Sequence, residues 1–523
     1  MPPGTELMRN TTHHRLATTG YMHQVLIPTP SCSPQDPLNW STTWKLVVVL
    51  NQVLFVLFSI IPALSIAPVT PIFMHQFHAS EATVSLFLGV CVIALGYANF
   101  IIIPFSNIFG RRAACLVTGS IIIASNIWQA SAKTTGSFFG ARALNGIGGA
   151  VNESVMVQVI ADLFFLHERG MWMGVYFASY FIGTFIGPII AGNMAQYVGW
   201  RSFFWLCTGV SVLNLMCLLV LFPETKFHRE GASAQGSKEV IVPAEKVNEK
   251  TGDEEVTHIE GFQGIELGDM LGRGKPGRRQ WQLVQRPFPG VVNSLARDFI
   301  TPVYILSFPI VFWVTTVVGG AANTLLAMNL TQSPVFAGPP HNFSPGSVGL
   351  VNIAFIVGGL FGMSTAGAFS DWVAKKLTKR NGDIREPEMR ILAMIPYFFI
   401  MVIGCVVVAL GYRYGWRWEV IVLLGYTFIG IQVVALPTIA VAYAVDCYKP
   451  ISGEILVICT VFKNTFGFGM SWWVPELTPT QSVLVLFACN AAACLCGVPI
   501  YFWGKQLRRY TWNSKVHGME NIM

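Results

Sequence analysis

Val84–Phe105 reads VSLFLGVCVIALGYANFIIIPF, an unbroken stretch with no charged side chain. A helix needs about 20 predominantly apolar residues to cross the hydrocarbon core of a bilayer. Inside that core every backbone N–H and C=O must be satisfied within the segment, which an α-helix achieves. The stretch is therefore expected to span a membrane. It is not alone. Lys45–Phe73 precedes it, and Ala113–Ala130, Ser137–Leu163, Met171–Val198 and Ser202–Phe222 follow. After a polar interval the pattern resumes with Pro302–Met328, Val348–Phe369, Ile391–Leu410, Val420–Val445, Ile455–Trp473 and Ser482–Trp503. Twelve such stretches in two sets of six predict an all-α, polytopic membrane protein built as two six-helix bundles.

Composition points the same way. Hydrophobic residues make up 53% of the 523 and charged residues 12%, with a mean hydropathy of +0.53. So few charges cannot coat a soluble globule of this length, but they suffice for membrane loops. The net charge of +7 is spread beside the spans, so it reads as a topology signal and not as a nucleic-acid surface. Arg111 and Arg112 follow the second span. Lys375, Lys376, Lys379, Arg380, Arg385 and Arg390 follow the eighth, and Lys505, Arg508 and Arg509 follow the last. All fall on one side, whereas the other side carries only Lys133, Arg201, Arg413 and Arg417. By the positive-inside rule both termini are expected in the cytoplasm. The sequons at Asn329 and Asn342 then face outward as candidate glycosylation sites. The first 40 residues contain no apolar core of a cleavable signal. Ten of the 11 cysteines lie within or at the ends of spans, with Cys32 in the N-terminal tail, so neither a disulfide framework nor a zinc spacing is expected.

The expected organisation is a tail over 1–43, a first bundle over 44–222, a linker over 223–300, a second bundle over 301–504 and a tail over 505–523. Glu239–Asp269 mixes acids, lysines and glycines with few aromatics, and reads as a mobile linker. Residues 281–298 regain apolar character, and both an amphipathic helix and an ordinary loop fit them. The halves also echo each other. Phe105-Ser106-Asn107-Ile108-Phe109-Gly110-Arg111-Arg112 follows the second span, and Phe369-Ser370-Asp371-Trp372-Val373-Ala374-Lys375-Lys376 follows the eighth. Ala161-Asp162 ends the fourth span and Val445-Asp446 ends the tenth. Duplicated halves are typical of transporters that rock around a central site.

These motifs carry a resemblance. Layout and sequence resemble the major facilitator superfamily, and within it the twelve-span drug:proton antiporter branch of fungi. Phe105–Arg112 is similar to that superfamily's loop motif Gly-x-Leu-x-Asp-x-x-Gly-Arg-Arg. Ala141-Arg142-Ala143-Leu144-Asn145-Gly146-Ile147-Gly148-Gly149-Ala150 is similar to its fourth-span Arg motif. Gly183-Thr184-Phe185-Ile186-Gly187-Pro188-Ile189-Ile190-Ala191-Gly192 is similar to its antiporter-associated fifth-span motif. Asp36-Pro37-Leu38-Asn39-Trp40-Ser41 and Asp162–Gly170 are similar to segments of the fungal branch. Two departures stand out. Asn107 replaces the motif's usual Asp, so a charged contact there becomes a hydrogen bond, although Asn can still cap a facing helix. Ile103 and Pro104 stand in place of its opening Gly. The second half keeps Asp371 and Gly367, so the inner gate is expected to depend more on that half.

Ionisable groups inside spans cost roughly 2.5–3.5 kcal/mol each on insertion scales, and so are functional suspects. Glu153 sits between Asn152 and Ser154 near the middle of the fourth span. Burial disfavours its charged form, so a solitary carboxylate there is expected to hold a proton until water or a cationic substrate arrives. A purely structural carboxylate is the competing reading. The resemblance assigns Arg142 to proton coupling; the competing reading is an arginine snorkelling to headgroups. Lys463 in the eleventh span is expected either to balance a buried acid or to meet an anionic group. Asn107, Arg111, Arg112, Asp162, Asp371 and Asp446 are candidates for the inner gate, whose exposed pairs would each be weak. Gly183, Gly187 and Gly192 with Pro188, and Gly358 with Gly362, have the small-residue spacing that lets helices approach closely, and are candidates for the seam between halves.

Taken with the resemblance, these features imply proton-coupled secondary transport at the plasma membrane. The leading expectation is an antiporter that exports a small organic molecule such as a drug, toxin or secondary metabolite. The alternative is proton-coupled uptake of an organic cation such as a polyamine, and behind it a transporter-like ligand sensor. Enzyme chemistry is not expected. The spans hold no histidine cluster, metal spacing or Ser–His arrangement, and no Walker sequence points to ATP. No cofactor and no metal is expected. The expected partners are a small-molecule substrate, protons and the bilayer, with the chain acting as a monomer.

Overall fold

The computed structural model describes residues 6–7, 31, 33–227, 272–284, 299–382, 384–448, 451–511 and 514. The expected mobile linker Glu239–Asp269 lies outside the described residues, as do residues 285–298 of the 281–298 stretch for which helix and loop were both open.

The first bundle comprises α1 (Thr42–Leu64), α2 (Thr70–Phe77), α3 (Glu81–Phe109), α4 (Arg111–Ser131), α5 (Thr135–Gly149), α6 (Val151–Leu163), α7 (Leu166–Tyr197) and α8 (Trp200–Leu221). The second comprises α9 (Pro309–Ala337), α10 (Pro345–Leu350), α11 (Ile353–Arg380), α12 (Met394–Tyr414), α13 (Thr427–Cys447), α14 (Ser452–Trp473), α15 (Pro479–Leu495) and α16 (Gly497–Tyr510). A short antiparallel pair joins Glu6–Leu7 to Ile384–Arg385.

Polar residues placed at helix starts set the boundaries. The side chains of Ser41, Ser80 and Thr134 accept from the amides of Trp44, Thr83 and Ser137, satisfying donors that each first turn leaves free. Gly110 separates α3 from α4 at φ +102°, a left-handed value that suits only glycine. A Cβ there would also lie 2.1 Å from Glu224 Oε2.

Eleven helical stretches among the described residues are long and apolar enough to cross a membrane. The remaining expected span, Ser137–Leu163, is two helices, α5 and α6, that meet at Ala150. Gly146, Gly148 and Gly149 immediately precede the joint, and glycine costs a helix interior about 1 kcal/mol relative to alanine. The turn tightens there, with Ala150 N donating to Ile147 O and Glu153 N to Ala150 O.

The internal echo in the sequence is also an echo in packing. α1 packs on α7 and α3 on α5 in the first bundle; α9 packs on α14 and α11 on α13 in the second. The bundles meet along α3 against α14, and α7 against α10 and α11. Each contact is close where one partner lacks a side chain. A Cβ on Gly96 would lie 2.7 Å from Asn464 Cβ, and one on Gly349 would lie 2.6 Å from Pro188 O.

Candidate functional site

The break between α5 and α6 puts Glu153 in the first turn of α6, where the amide-rich end of a helix favours negative charge. The carboxylate points across the seam at α14 of the other bundle. Lys463 Nζ reaches Glu153 Oε1 at 2.6 Å, with side-chain exposures of 19% and 5%. Tyr180 OH donates to the same oxygen at 2.9 Å, and Asn464 Nδ2 donates to Oε2 at 3.2 Å. The Tyr180 ring lies under the lysine ammonium at 5.8 Å. Asn323 Nδ2 donates to the Lys463 carbonyl at 3.1 Å and ties α9 to the same turn. The solitary carboxylate expected from sequence is thus corrected to one half of an ion pair. Its partner lies 310 residues away, where no pattern local to the fourth span could reveal it.

Arg142 is fully buried and does not reach a headgroup layer. Its guanidinium donates to the carbonyls of Phe87 (3.0 Å) and Pro62 (2.8 Å), to the Ala63 carbonyl, and to Gln129 Oε1 at 3.2 Å. Pro62 and Ala63 belong to the last turn of α1, whose carbonyls have no partner within their own helix. The snorkelling reading is therefore overturned: the side chain points inward to cap α1.

At the end carrying the two loop motifs, each bundle has its own ionic cluster. In the first, Arg111 Nε meets Asp162 Oδ2 at 3.0 Å and Arg111 Nη1 donates to Asn107 Oδ1 at 3.2 Å. Gln158 Nε2 also donates to Asn107 Oδ1. Arg112 donates to the carbonyls of Phe222 and Leu219, and its guanidinium lies over Trp281 at 5.3 Å. In the second, Arg390 Nη1 meets Asp371 Oδ1 at 2.8 Å and Arg390 Nε meets Asp446 Oδ2 at 2.6 Å, with Arg385 beside Asp446 at 3.3 Å. The arginine that serves the second motif therefore comes from the 3-10 turn Pro387–Ala393 that leads into α12, while Lys375 and Lys376 of the motif itself are exposed. Each ion pair named here stays within one bundle.

Three residues at this end, Glu224, Glu388 and Arg508, had no signal in the motifs. Glu224, just past α8, accepts from the amides of Arg111 (2.9 Å) and Arg112 (3.0 Å). It therefore caps α4, while Asn107, expected to cap a facing helix, accepts from Arg111 and Gln158. Burial pushes its carboxyl up, against pull-down from the amides of Lys226, Arg111 and Arg112. Glu388 and Arg508 form a buried two-point pair, at 2.9 and 2.8 Å. These pairs and Arg112 are not the uniformly exposed, weak contacts expected for a gate. Glu224→Ala should leave two amides of α4 without partners, a loss of roughly 1–3 kcal/mol. A lower melting temperature of the purified protein checks this; an unchanged one would remove Glu224 from the cap.

The glycines divide differently from the expectation. A Cβ on Gly183 would lie 2.4 Å from Ile60, and one on Gly187 1.9 Å from Ser65 Oγ, both against α1 or its end in the same bundle. Gly358 and Gly362 face Thr427 and Ile431 of α13, again within one bundle. These four are therefore corrected from seam to intrabundle packing. Gly192 does lie at the seam, 2.3 Å from Pro345 O by the same measure, as does Pro188, whose carbonyl faces Gly349. Gly89, Gly96 and Gly359 also lie at the seam, against Ser471, Asn464 and Phe181. Gly187→Leu should accordingly lower the yield of folded protein, whereas Gly192→Leu should fold and move substrate poorly. Size-exclusion profiles beside transport rates separate the two; the same defect in both would undo the distinction.

Of the two sequons, Asn329 is buried within α9 and accepts from Gln332 Nε2, so it is corrected from a glycosylation site to a packing residue. Asn342 is exposed in the loop after α9 with φ +49°, a left-handed conformation that asparagine tolerates.

Comparison with known proteins bears on this arrangement. The family model described as Major Facilitator Superfamily matches residues 50–449. An uncharacterized MFS-type transporter of Schizosaccharomyces pombe is 27% identical, over 93% of this chain and 88% of its own length. Protein HOL1 of Saccharomyces cerevisiae is 25% identical, over 93% of this chain and 90% of its own. Among solved structures, a partially occluded inward-open form of the xylose transporter XylE from E. coli superposes with a TM-score of 0.58 at 15% identity. The match covers 86% of this chain and 98% of that one, and at that identity it speaks for the fold alone.

Proposed function

The chain belongs to the Major Facilitator Superfamily, and from that premise we propose that it is a proton-coupled antiporter that exports a small organic molecule across the plasma membrane, with both termini cytoplasmic. It is an integral, multi-pass secondary transporter and not an enzyme. The observation that carries the finer reading is the Glu153–Lys463 pair between α6 and α14. An antiporter must not change conformation when empty, or its two gradients dissipate independently. An ion pair between the bundles, nearly closed to water on the acid side, is a latch on the empty form. A proton landing on Glu153 removes one charge of the pair. A substrate that competes for the same groups also opens it. Either load then frees the bundles to rock, and the two loads exclude each other because both need Glu153.

The ionic clusters at the motif end fit this division of labour. Each braces its own bundle as a rigid body, while the seam carries the contact that changes. Arg142 braces the first bundle in the same way, by holding the end of α1 against α3 and α4.

The test is exchange in proteoliposomes of the purified chain. With an imposed pH gradient, substrate should move uphill against the inward flow of protons, and removing the gradient should leave only flux down the substrate's own gradient and substrate-for-substrate exchange. Co-movement of substrate with protons in one direction would replace antiport by uptake.

A further inference from the structure

We infer that the substrate is a zwitterion, a small molecule carrying an amine and an acid on a short spacer, with the amine bound by Glu153 and the acid by Lys463. The inference rests on the reading that this pair is the transport site, and its basis is the charge balance there. The site holds one carboxylate and one ammonium at 2.6 Å, from opposite bundles. Among the described residues, no other carboxylate lies within ion-pair distance of Lys463 Nζ, and no other cation within that distance of Glu153.

Each simpler ligand class leaves a charge stranded. A monovalent cation that takes Glu153 strips Lys463 of its counter-ion and brings a second positive charge beside it. An anion that takes Lys463 does the converse to Glu153. Removing one member of a buried pair is strongly unfavourable because the other stays charged in a poorly solvated place. A zwitterion avoids both costs: one internal pair is exchanged for two pairs to the ligand, and the net charge of the site stays zero.

The surroundings are arranged for both ends. Tyr180 OH and Asn464 Nδ2 continue to hold Glu153 when Lys463 lets go, so the carboxylate remains aimed. The Tyr180 ring face offers an ammonium the same attraction it now gives Lys463. The lysine uses one of its three donors on Glu153, and a ligand carboxylate can take two of them. A ligand bridging α6 and α14 also replaces the latch by a longer link, so binding is itself the conformational trigger.

The proton-loaded form differs: with Glu153 neutral and Lys463 still charged, the site carries one positive charge. Export of a zwitterion in exchange for a proton therefore moves net charge, and an interior-negative potential should accelerate it.

The experiment measures equilibrium binding to the purified full chain with no gradient present, so it is independent of proton coupling. Two matched sets serve as probes: phenylalanine, phenethylamine and 3-phenylpropionate; and leucine, isoamylamine and 4-methylpentanoate. In at least one set the zwitterion should bind at least tenfold tighter than either singly charged relative. Glu153→Gln should shift that preference to the acid, and Lys463→Met should shift it to the amine. Should either variant fold poorly, the double charge swap Glu153→Lys with Lys463→Glu keeps a pair and should keep the zwitterion preference. Zwitterions that bind no tighter than their amines or acids in both sets overturn the inference, and an amine preference in the wild type points to an organic cation. A zwitterion preference in a chain that shows no proton exchange would instead sink the coupling reading and leave the substrate class standing.

Discussion

Proteoliposomes carrying Glu153→Gln should lose uphill transport while keeping downhill flux at substrate concentrations high enough to offset the weaker hold on the substrate's amine. A one-unit pH gradient is worth about 1.4 kcal/mol per proton, a tenfold accumulation for one-to-one exchange. The wild type should approach that ratio, and the variant should settle near equal concentrations on both sides. The reasoning follows from what the amide keeps and what it loses. Glutamine preserves the shape of the side chain and, with its amide oxygen in the Oε1 position, still accepts from Tyr180, while its NH2 in the Oε2 position requires the Asn464 amide to turn and present its oxygen. It cannot take a proton, and its bond to Lys463 carries no charge attraction on its side. The latch weakens, the empty carrier rocks, and the two fluxes separate. Lys463→Met should uncouple as well, but by another route: it leaves Glu153 charged and unpaired, which costs about 3–5 kcal/mol for a buried pair. Combining the two changes removes the orphaned charge, so the double variant should be better folded than Lys463→Met alone, the signature of a coupled pair in a double-mutant cycle. If Glu153→Gln still accumulates substrate at the wild-type ratio with the same pH dependence, the pair is structural and the coupling group lies elsewhere, with Asp162 and Asp446 next to test.

The architecture was legible because a membrane span is a local signal. Length and apolarity mark Val84–Phe105 without reference to anything distant, and the echo of Phe105–Arg112 in Phe369–Lys376 marks two halves. What failed to show was partnership. Lys463 is an odd residue in one span and Glu153 in another, and nothing in either sequence neighbourhood says that α6 faces α14. The seam glycines failed for a related reason. Small-residue spacing says that a helix is approached closely, and it is silent on by which neighbour, so Gly187 and Gly192 look alike in sequence while one faces α1 and the other Pro345. Glu224 was overlooked because it lies outside every span, and its role depends on Gly110 leaving room for its carboxylate at the start of α4.

Arg142→Met should fail to yield folded transporter, with the chain retained inside the cell or aggregated on extraction. Four acceptors converge on this guanidinium: the carbonyls of Pro62, Ala63 and Phe87, and Gln129 Oε1. Each acceptor left unsatisfied in a buried site costs about 1–3 kcal/mol. Two of the lost bonds fall at the carbonyl end of α1, where a positive charge is also favoured by the helix dipole. Their sum is comparable to the whole stability of a typical domain, about 5–15 kcal/mol. Arg142→Lys should be partly rescued, because an ammonium keeps the charge but has three donors on a point and not a planar fork. It should reach the membrane at reduced level and, once there, exchange substrate for protons at a normal ratio per molecule. That last measurement separates bracing from coupling. An Arg142→Lys protein that is abundant and well folded, yet has lost the dependence of transport on the pH gradient, would return this residue to the proton path. Reduced abundance with intact coupling would establish that the fourth-span arginine acts here as the cap that holds α1 against α3 and α4 while the bundles move.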